Sequence, residues 1–266
     1  MRENANSNPN LRQVPATAKI EFRNVMKTFG SGAKRMLALN GINLTIEDGE
    51  FVSILGESGC GKTTLLRIAA GLIPPSSGSV LMDGVAVSKP GRDMGFVFQQ
   101  SVLLEWRTIL ENILLPVEIF KLDAKAYRQK ALDLLNMLGL AGFESHYPIQ
   151  LSGGMQQRVS IARALILSPT VLLMDEPFGA LDAITREQMN SELLRIWSLS
   201  KTTAVFITHD IGEAVFLSDR VVLLGSRPGR VKEVFDNPLT RPRTPEHRYD
   251  ARFIRLCRDM KHAMTA

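Results

Sequence analysis

GESGCGKTT, residues 56–64, fits the pattern G-x-x-x-x-G-K-[ST], with Gly56, Gly61, Lys62 and Thr63 at the fixed positions. Glycines let a backbone turn sharply, so that its N–H groups face an anion with no Cβ in the way. Glu57, Ser58, Gly59, Cys60 and Thr64 fill out the same loop and its phosphate-facing backbone. The helix expected to begin here adds its positive N-terminal end. Such a site takes a nucleoside triphosphate. Lys62 is expected to reach the β- and γ-phosphates, and the Thr63 hydroxyl to ligate Mg²⁺. Cys60 is read as a small residue of the loop and not as a redox centre.

A second signal lies downstream in VLLMDEP (171–177), an apolar strand that ends in Asp175 and Glu176. A parallel strand delivers the residues at its C-terminal edge beside a phosphate loop. Asp175 is expected to hold Mg²⁺ through water. Glu176 is expected to orient or deprotonate the attacking water, the general-base role in hydrolysis.

These residues need elements to carry them. From Ala18, IEFRNVMKTF reads as a strand, and LALNGINLTI as a second extended piece that ends at the turn EDGE. FVSIL (51–55) is a short buried strand running straight into the glycine loop. The helix KTTLLRIAAGL stops at Gly71, with Pro74 and Pro75 just beyond. SSGSVLMDG and MGFVFQ are further strands. Residues 122–140 carry Ala126, Ala131, Leu134, Leu135 and Leu138 at helical spacing, within a helical insert over about 101–165. VLLMD, a helix near 182–199, TAVFITH, the helix DIGEAVFLSD and RVVLLG then follow in turn. Strands alternating with helices indicate an α/β domain with a largely parallel sheet. At the end, Tyr249, Phe253, Leu256, Met260 and Met264 share one helical face and predict a docked terminal helix. The organisation expected is a polar, disordered segment 1–17, a catalytic domain 18–230 and a basic extension 231–266 with that helix.

Composition narrows the function classes. A chain of 266 residues with 45% hydrophobic residues has material for a real core. Its apolar runs fall short of the roughly 18 residues of a membrane-spanning helix. The start MRENANSNPNLRQ lacks the apolar region of a secretory signal. Two cysteines build no disulfide framework and suit a reducing cytosol. The net charge of +5 comes from the tail: residues 227–266 hold 10 Lys/Arg and 5 Asp/Glu, while 1–226 hold 22 of each. The folded body therefore carries no basic balance for nucleic acid, and none is expected as a partner. His146, His247 and His262 share no ligand spacing, so no metal other than Mg²⁺ is expected.

Between the two chemical signals lies LSGGMQQR (151–158), which no generic phosphate-loop protein requires. Ser152, Gly153 and Gly154 open a helix and so make a second phosphate-type N-terminus. The segment resembles the signature motif of ATP-binding cassette (ABC) ATPases, and other motifs of that family line up around it across residues 19–230. Phe29 sits where the family places the aromatic that stacks on adenine. Gln99 matches the loop glutamine that ligates Mg²⁺, GALD (179–182) resembles the D-loop, and His209 matches the switch histidine that holds the γ-phosphate or the attacking water. The resemblance implies a phosphate-loop ABC cassette: a mainly parallel core sheet, an antiparallel β subdomain and an α-helical subdomain. It implies ATP and Mg²⁺ as ligands and ATP hydrolysis as the reaction. It also implies a head-to-tail homodimer in which Ser152, Gly153, Gly154 and Gln156 act on the ATP of the second copy.

FQQSVLLEWRTILENILLPVEI, LLMDEPFGALDAITREQM, FITHDIGEAVFLSDRVVLL and the RPGR after them are similar to importers of the nitrate, sulfonate and taurine type. Glu105 departs from that pattern, which usually has Pro before Trp106. The implied function is the ATP-hydrolysing subunit that energises a membrane importer for a small solute. Its partners are then an integral membrane permease and, indirectly, a periplasmic or extracellular substrate-binding protein. Its place is peripheral, on the cytoplasmic face of the cell (inner) membrane. Two alternatives stay open: import of a pyrimidine-type precursor, and a soluble ABC ATPase acting on ribosomes or DNA.

Overall fold

A computed structural model describes residues 18–200 and 202–265, so the expectation for residues 1–17 lies outside the described residues. In chain order the elements are β1 (Ala18–Phe29), β2 (Met36–Glu47), β3 (Phe51–Leu55), α1 (Lys62–Ala69), β4 (Ser77–Met82), β5 (Val85–Ala86) and β6 (Met94–Val97). There follow α2 (Ile109–Ile119), α3 (Ala124–Met137), α4 (Gly153–Leu165), β7 (Val171–Asp175), α5 (Ala183–Ser200) and β8 (Thr203–Thr208). The chain ends with α6 (Ile211–Leu217), β9 (Arg220–Leu224), β10 (Val231–Asp236) and α7 (Ala251–Thr265).

β3, β7 and β8 are apolar without alternation because both of their faces are covered. Val52, Ile54, Val171, Leu173, Val205 and Ile207 point into one core, shared with α1 and with Ile20, Phe22, Ile42 and Ile46 of the β1–β2 pair. Phe51, Leu55, Leu172, Met174, Ala204 and Phe206 point the other way, into a second core built with the helices. This is the continuous hydrophobic run expected of a parallel strand buried on both sides. The strands form a six-stranded sheet in the order β10-β9-β3-β8-β7-β6, parallel except for β10. A separate antiparallel sheet, β2-β1-β4-β5, covers the α1 side. α2, α3 and α4 pack together as a helical arm within 101–165. α2 starts at a capping box: Thr108 Oγ1 accepts from Glu111 N, and the Glu111 carboxylate accepts from Thr108 N at 2.8 Å.

The end of the chain departs from expectation in two ways. The boundary at 230 falls inside a hairpin, because β10 pairs with β9 and extends the core sheet. An exposed edge strand such as VKEVFD has no buried alternation to betray it. The terminal helix does dock, with Phe253, Leu256 and Met260 buried, but Tyr249 is 85% exposed and lies before it. Asp250 is extended there and caps α7 by accepting from Arg252 N at 2.7 Å. The Arg252 guanidinium bonds the same carboxylate and holds its pKa down at about 2.

The segment between β10 and α7 is anchored by Arg243, which is 7% exposed. Its guanidinium donates to the carbonyls of Val215, Phe216 and Ser218 at the end of α6 and to Leu239 O. Burial pushes the Arg243 pKa down to about 10. Arg243→Ala removes this donor from Phe216 O and Leu239 O, while Asn237 Nδ2 still serves Val215 O and Ser218 O, and should cost about 1–3 kcal/mol, the range for leaving a buried polar group unsatisfied. A urea-denaturation midpoint unchanged from wild type would show that this segment is not anchored there.

Candidate functional site

Four neighbouring strands, β3, β8, β7 and β6, end at one edge of the sheet, and each is followed by a residue singled out from the sequence. The glycine loop follows β3, His209 follows β8, Glu176 follows β7 and Gln99 lies two residues beyond β6. The pairing of Leu55 with Thr208, Asp175 with Ile207 and Val97 with Met174 brings these ends level. In open α/β sheets ligands bind at this carboxyl edge.

Gly61 is the N-cap of α1 at φ +105°, a conformation L side chains rarely adopt, and a Cβ there would lie 2.7 Å from Leu39 Cδ2. The loop wraps over Lys62, which is only 4% exposed. Its Nζ donates to the carbonyls of Gly56 (2.8 Å) and Glu57 (3.0 Å) and lies 3.5 Å from Glu176 Oε1. Thr63 Oγ1 donates to Asp175 Oδ1 at 2.8 Å. Burial raises the Asp175 pKa, against the lowering effect of the Thr63 hydrogen bond. Cys60 turns its side chain into the core, 1% exposed, and burial pushes its thiol pKa up, which suits an inert packing residue.

Glu176 has φ +44°, sparsely populated for a non-glycine residue. Its N–H donates to Ile207 O at 3.1 Å, tying it to β8. The carboxylate stands between two partners: Lys62 through Oε1, and His209 Nδ1 at 3.2 Å through Oε2. Lys62, Thr63, Asp175, Glu176 and His209 thus form one cluster. Glu57, Ser58 and Gly59 are exposed at the loop tip, and Thr64 is half-buried. Gln99 is exposed at the same edge. Phe29, at the end of β1, is 38% exposed and carries Lys27 Nζ at 5.1 Å from its ring centroid.

Ser152, Gly153 and Gly154 begin α4, on the helical arm. Ser152 Oγ accepts from Met155 N at 3.3 Å and caps the helix, and Ser152 and Gly153 are exposed. Gly154 faces Leu181 and Thr185, beside the GALD turn. Gln156 behaves differently from its expected role toward a second copy. Its Nε2 donates to Pro148 O (2.9 Å) and Leu151 O (3.4 Å), and its Oε1 accepts from Ser101 Oγ (3.0 Å). Its amide is therefore taken up by its own chain, where it braces the loop before the signature against the loop that follows Gln99.

The family model described as ABC transporter matches residues 39–179. The chain belongs to that family. It is 51% identical, over 85% of its length and 84% of the relative's, to an uncharacterized ABC transporter ATP-binding protein of Methanocaldococcus jannaschii. It is 44% identical to the aliphatic sulfonates import ATP-binding protein SsuB of Bacillus cereus, over 85% of this chain and 88% of that one. Among solved structures, a dimeric post-hydrolysis state of an ATP-binding cassette bound to ADP and Pi superposes with a TM-score of 0.74 at 38% identity, covering 83% of this chain and 100% of the other. The chain is an ATP-hydrolysing cassette, and its fold is that of the cassette ATPases.

Beneath His209 the cassette holds a buried polar network that sequence reasoning missed. Glu213 is 6% exposed and accepts from the Thr208 hydroxyl and from Asn190 Nδ2 (3.2 Å). Thr208 Oγ1 in turn accepts from Asp210 N at 2.9 Å, so the turn that carries His209 is fastened to this carboxyl. Nothing in the local sequence marks Glu213 as buried, since α6 is short and its acidic first turn reads as solvated.

Burial raises the Glu213 pKa, outweighing the hydrogen bond from Thr208. A folded-state carboxyl pKa above its unfolded value means that stability falls as pH rises through the interval between the two. Glu213→Gln removes that penalty and offers an N–H to Asn190 Oδ1, which has no partner among the described residues. The variant should melt above wild type at pH 8, with the gap closing toward pH 4.5. A difference independent of pH would mean that the buried carboxyl carries no ionisation cost.

Proposed function

We propose that this cassette is the ATPase subunit of a membrane importer for a small solute of the sulfonate, taurine or nitrate type. The observation that carries the catalytic part is the position of Glu176, between the buried Lys62 and His209 at the end of β7. The likeness to the sulfonate-import protein supports the transport part. That no helix among the described residues is long and apolar enough to cross a membrane fits a subunit that works through a separate permease.

ATP takes the loop N–H groups and Lys62 at its phosphates, and Phe29 stacks on its adenine. Thr63, Asp175 and Gln99 offer a hydroxyl, a carboxylate and an amide oxygen, the hard oxygen donors that suit Mg²⁺. The ion, when bound, neutralises charge on the phosphates. Glu176 accepts a proton from the attacking water while His209 holds the γ-phosphate or that water, and the hydrogen bond between them keeps both side chains aimed at one spot. Binding of ATP breaks the contact of Lys62 with its own loop carbonyls, because phosphate oxygens are stronger acceptors than peptide carbonyls. Ser152, Gly153 and Gly154 open a helix on the helical arm, with Ser152 and Gly153 exposed, so they serve the ATP of a second copy in a head-to-tail homodimer. Closing and reopening of that dimer rocks the permease at the cytoplasmic face of the cell membrane.

Glu176→Gln keeps the size and the hydrogen-bonding reach but removes the base, so ATP turnover should fall roughly 10²–10⁴-fold. ATP binding should persist, and size-exclusion chromatography should show an ATP-dependent shift from monomer to dimer. Wild-type turnover in this variant would remove Glu176 as the base. ATP held by a monomer would instead sink the shared site.

Trp106 is 75% exposed and Glu105 is exposed, just beyond the Gln99 loop. They form the surface proposed to receive the permease. Trp106→Ala or Glu105→Arg should weaken co-purification with a co-expressed membrane permease of the sulfonate-importer type and leave ATP affinity unchanged. Loss of ATP binding in either variant would show that the two residues support the cassette itself.

A further inference from the structure

The RPGR stretch noted in the sequence forms the β9–β10 hairpin loop, closed by Gly225 N donating to Arg230 O at 2.9 Å. It lies against the back of the glycine loop. Gly229 is buried, and a Cβ on it would stand 2.1 Å from Cys60 O, a backbone atom of that loop. On its other side Gly229 N donates to Ala38 O at 2.9 Å, and Gly229 O accepts from Asn40 N at 2.8 Å. The hairpin loop thus bridges the glycine loop and β2, the strand paired with the Phe29 end of β1.

Arg227 adds an orienting contact. Its Nε donates to Gly59 O at 3.2 Å, and its guanidinium covers the Cα of Gly59, where a Cβ would meet Nη2 at 2.4 Å. Gly59 is at φ +77°. In a trans peptide C=O and N–H point in opposite directions. Holding Gly59 O on Arg227 therefore turns the Cys60 N–H to the inside of the loop, where it meets Glu57 O at 3.3 Å. Glu57 O is also one of the two carbonyls that hold Lys62 Nζ.

We infer that Arg227 and Gly229 are positioning residues for phosphate binding: Arg227 presets the Cys60 N–H toward the phosphates, and Gly229 sets the spacing between the glycine loop and the sheet that carries Phe29. The inference rests on the assignment of ATP to this loop. Neither residue touches the nucleotide in this scheme. Arg227 acts through one peptide group, and Gly229 through the absence of a side chain.

The test measures the affinity of ATP and of inorganic tripolyphosphate, which has no base, by calorimetry at low salt and at 0.5 M salt. For Arg227→Ala both dissociation constants should rise by the same factor, roughly 3–10-fold, with the melting temperature unchanged. The loss should survive high salt, because a Debye length of about 3–5 Å screens a distant charge but leaves a preset peptide in place. Phe29→Ala should weaken ATP alone. Gly229→Ala should weaken ATP more than tripolyphosphate, and adding Phe29→Ala to it should cost less than in wild type, because the spacing is already lost. Wild-type tripolyphosphate affinity in Arg227→Ala, a loss abolished by salt, or a loss matched by a lowered melting temperature would each overturn the Arg227 role. Full additivity of Gly229→Ala and Phe29→Ala would overturn the spacing role. A wild-type chain that bound neither ligand would overturn the site assignment, and this inference with it.

Discussion

A lysine ammonium almost out of contact with water occupies the first turn of α1, where the helix dipole is also positive. Two like contributions in one place need anionic or carbonyl oxygens around them, and the chain supplies three sources. Gly56 and Glu57 turn their carbonyls back onto Lys62, and Glu176 brings a carboxylate from β7. That demand shapes the surroundings. The loop must fold back over its own lysine, which requires glycine at 61, and β7 must end close by. A polyphosphate answers the same demand better than peptide carbonyls do, which makes the resting arrangement one that a ligand can replace.

The sheet explains why so much chemistry gathers at one edge. Its central strands are buried on both faces, so no polar side chain on them has solvent within reach except at the strand ends. Parallel pairing puts the C-terminal ends of β3, β8, β7 and β6 side by side. Glu176 accepts an unusual backbone conformation there, and the bond from its N–H to Ile207 O holds it in place.

Behind this edge stands a layer of side chains outside the cluster of Lys62, Thr63, Asp175, Glu176 and His209. Glu213 fastens the turn carrying His209, Arg243 pulls the chain's last segment onto the end of α6, and the hairpin loop of Arg227 and Gly229 backs the glycine loop. Glu213 and the hairpin loop fix the backbones that carry His209 and the glycine loop, and Arg243 fixes the end of α6 beside them. The helical arm with Ser152 stands apart from this layer, in keeping with a proposed role toward a second copy.

Local chemistry was legible in the residues alone. The glycine loop, the strand ending in Asp175 and Glu176, the helix opened by Ser152-Gly153-Gly154 and the doubly buried strands each depend on backbone preferences and hydrophobic runs within a few consecutive residues. His209 and Gln99 were singled out through the resemblance to the cassette family's motifs and not from their own surroundings. What only the tertiary structure decided are which segments pair, and whether a polar side chain meets solvent or another part of the chain. Nothing in VKEVFD says that it borders β9, and nothing in Tyr249 says that an extended Asp250 separates it from α7. The inward turn of the Gln156 amide, the burial of Glu213 and Arg243, and the seating of Arg227 on Gly59 belong to the same kind. A polar side chain takes whichever partner the packed chain places within hydrogen-bonding distance, and that partner is set by how the segments meet rather than by the residue itself.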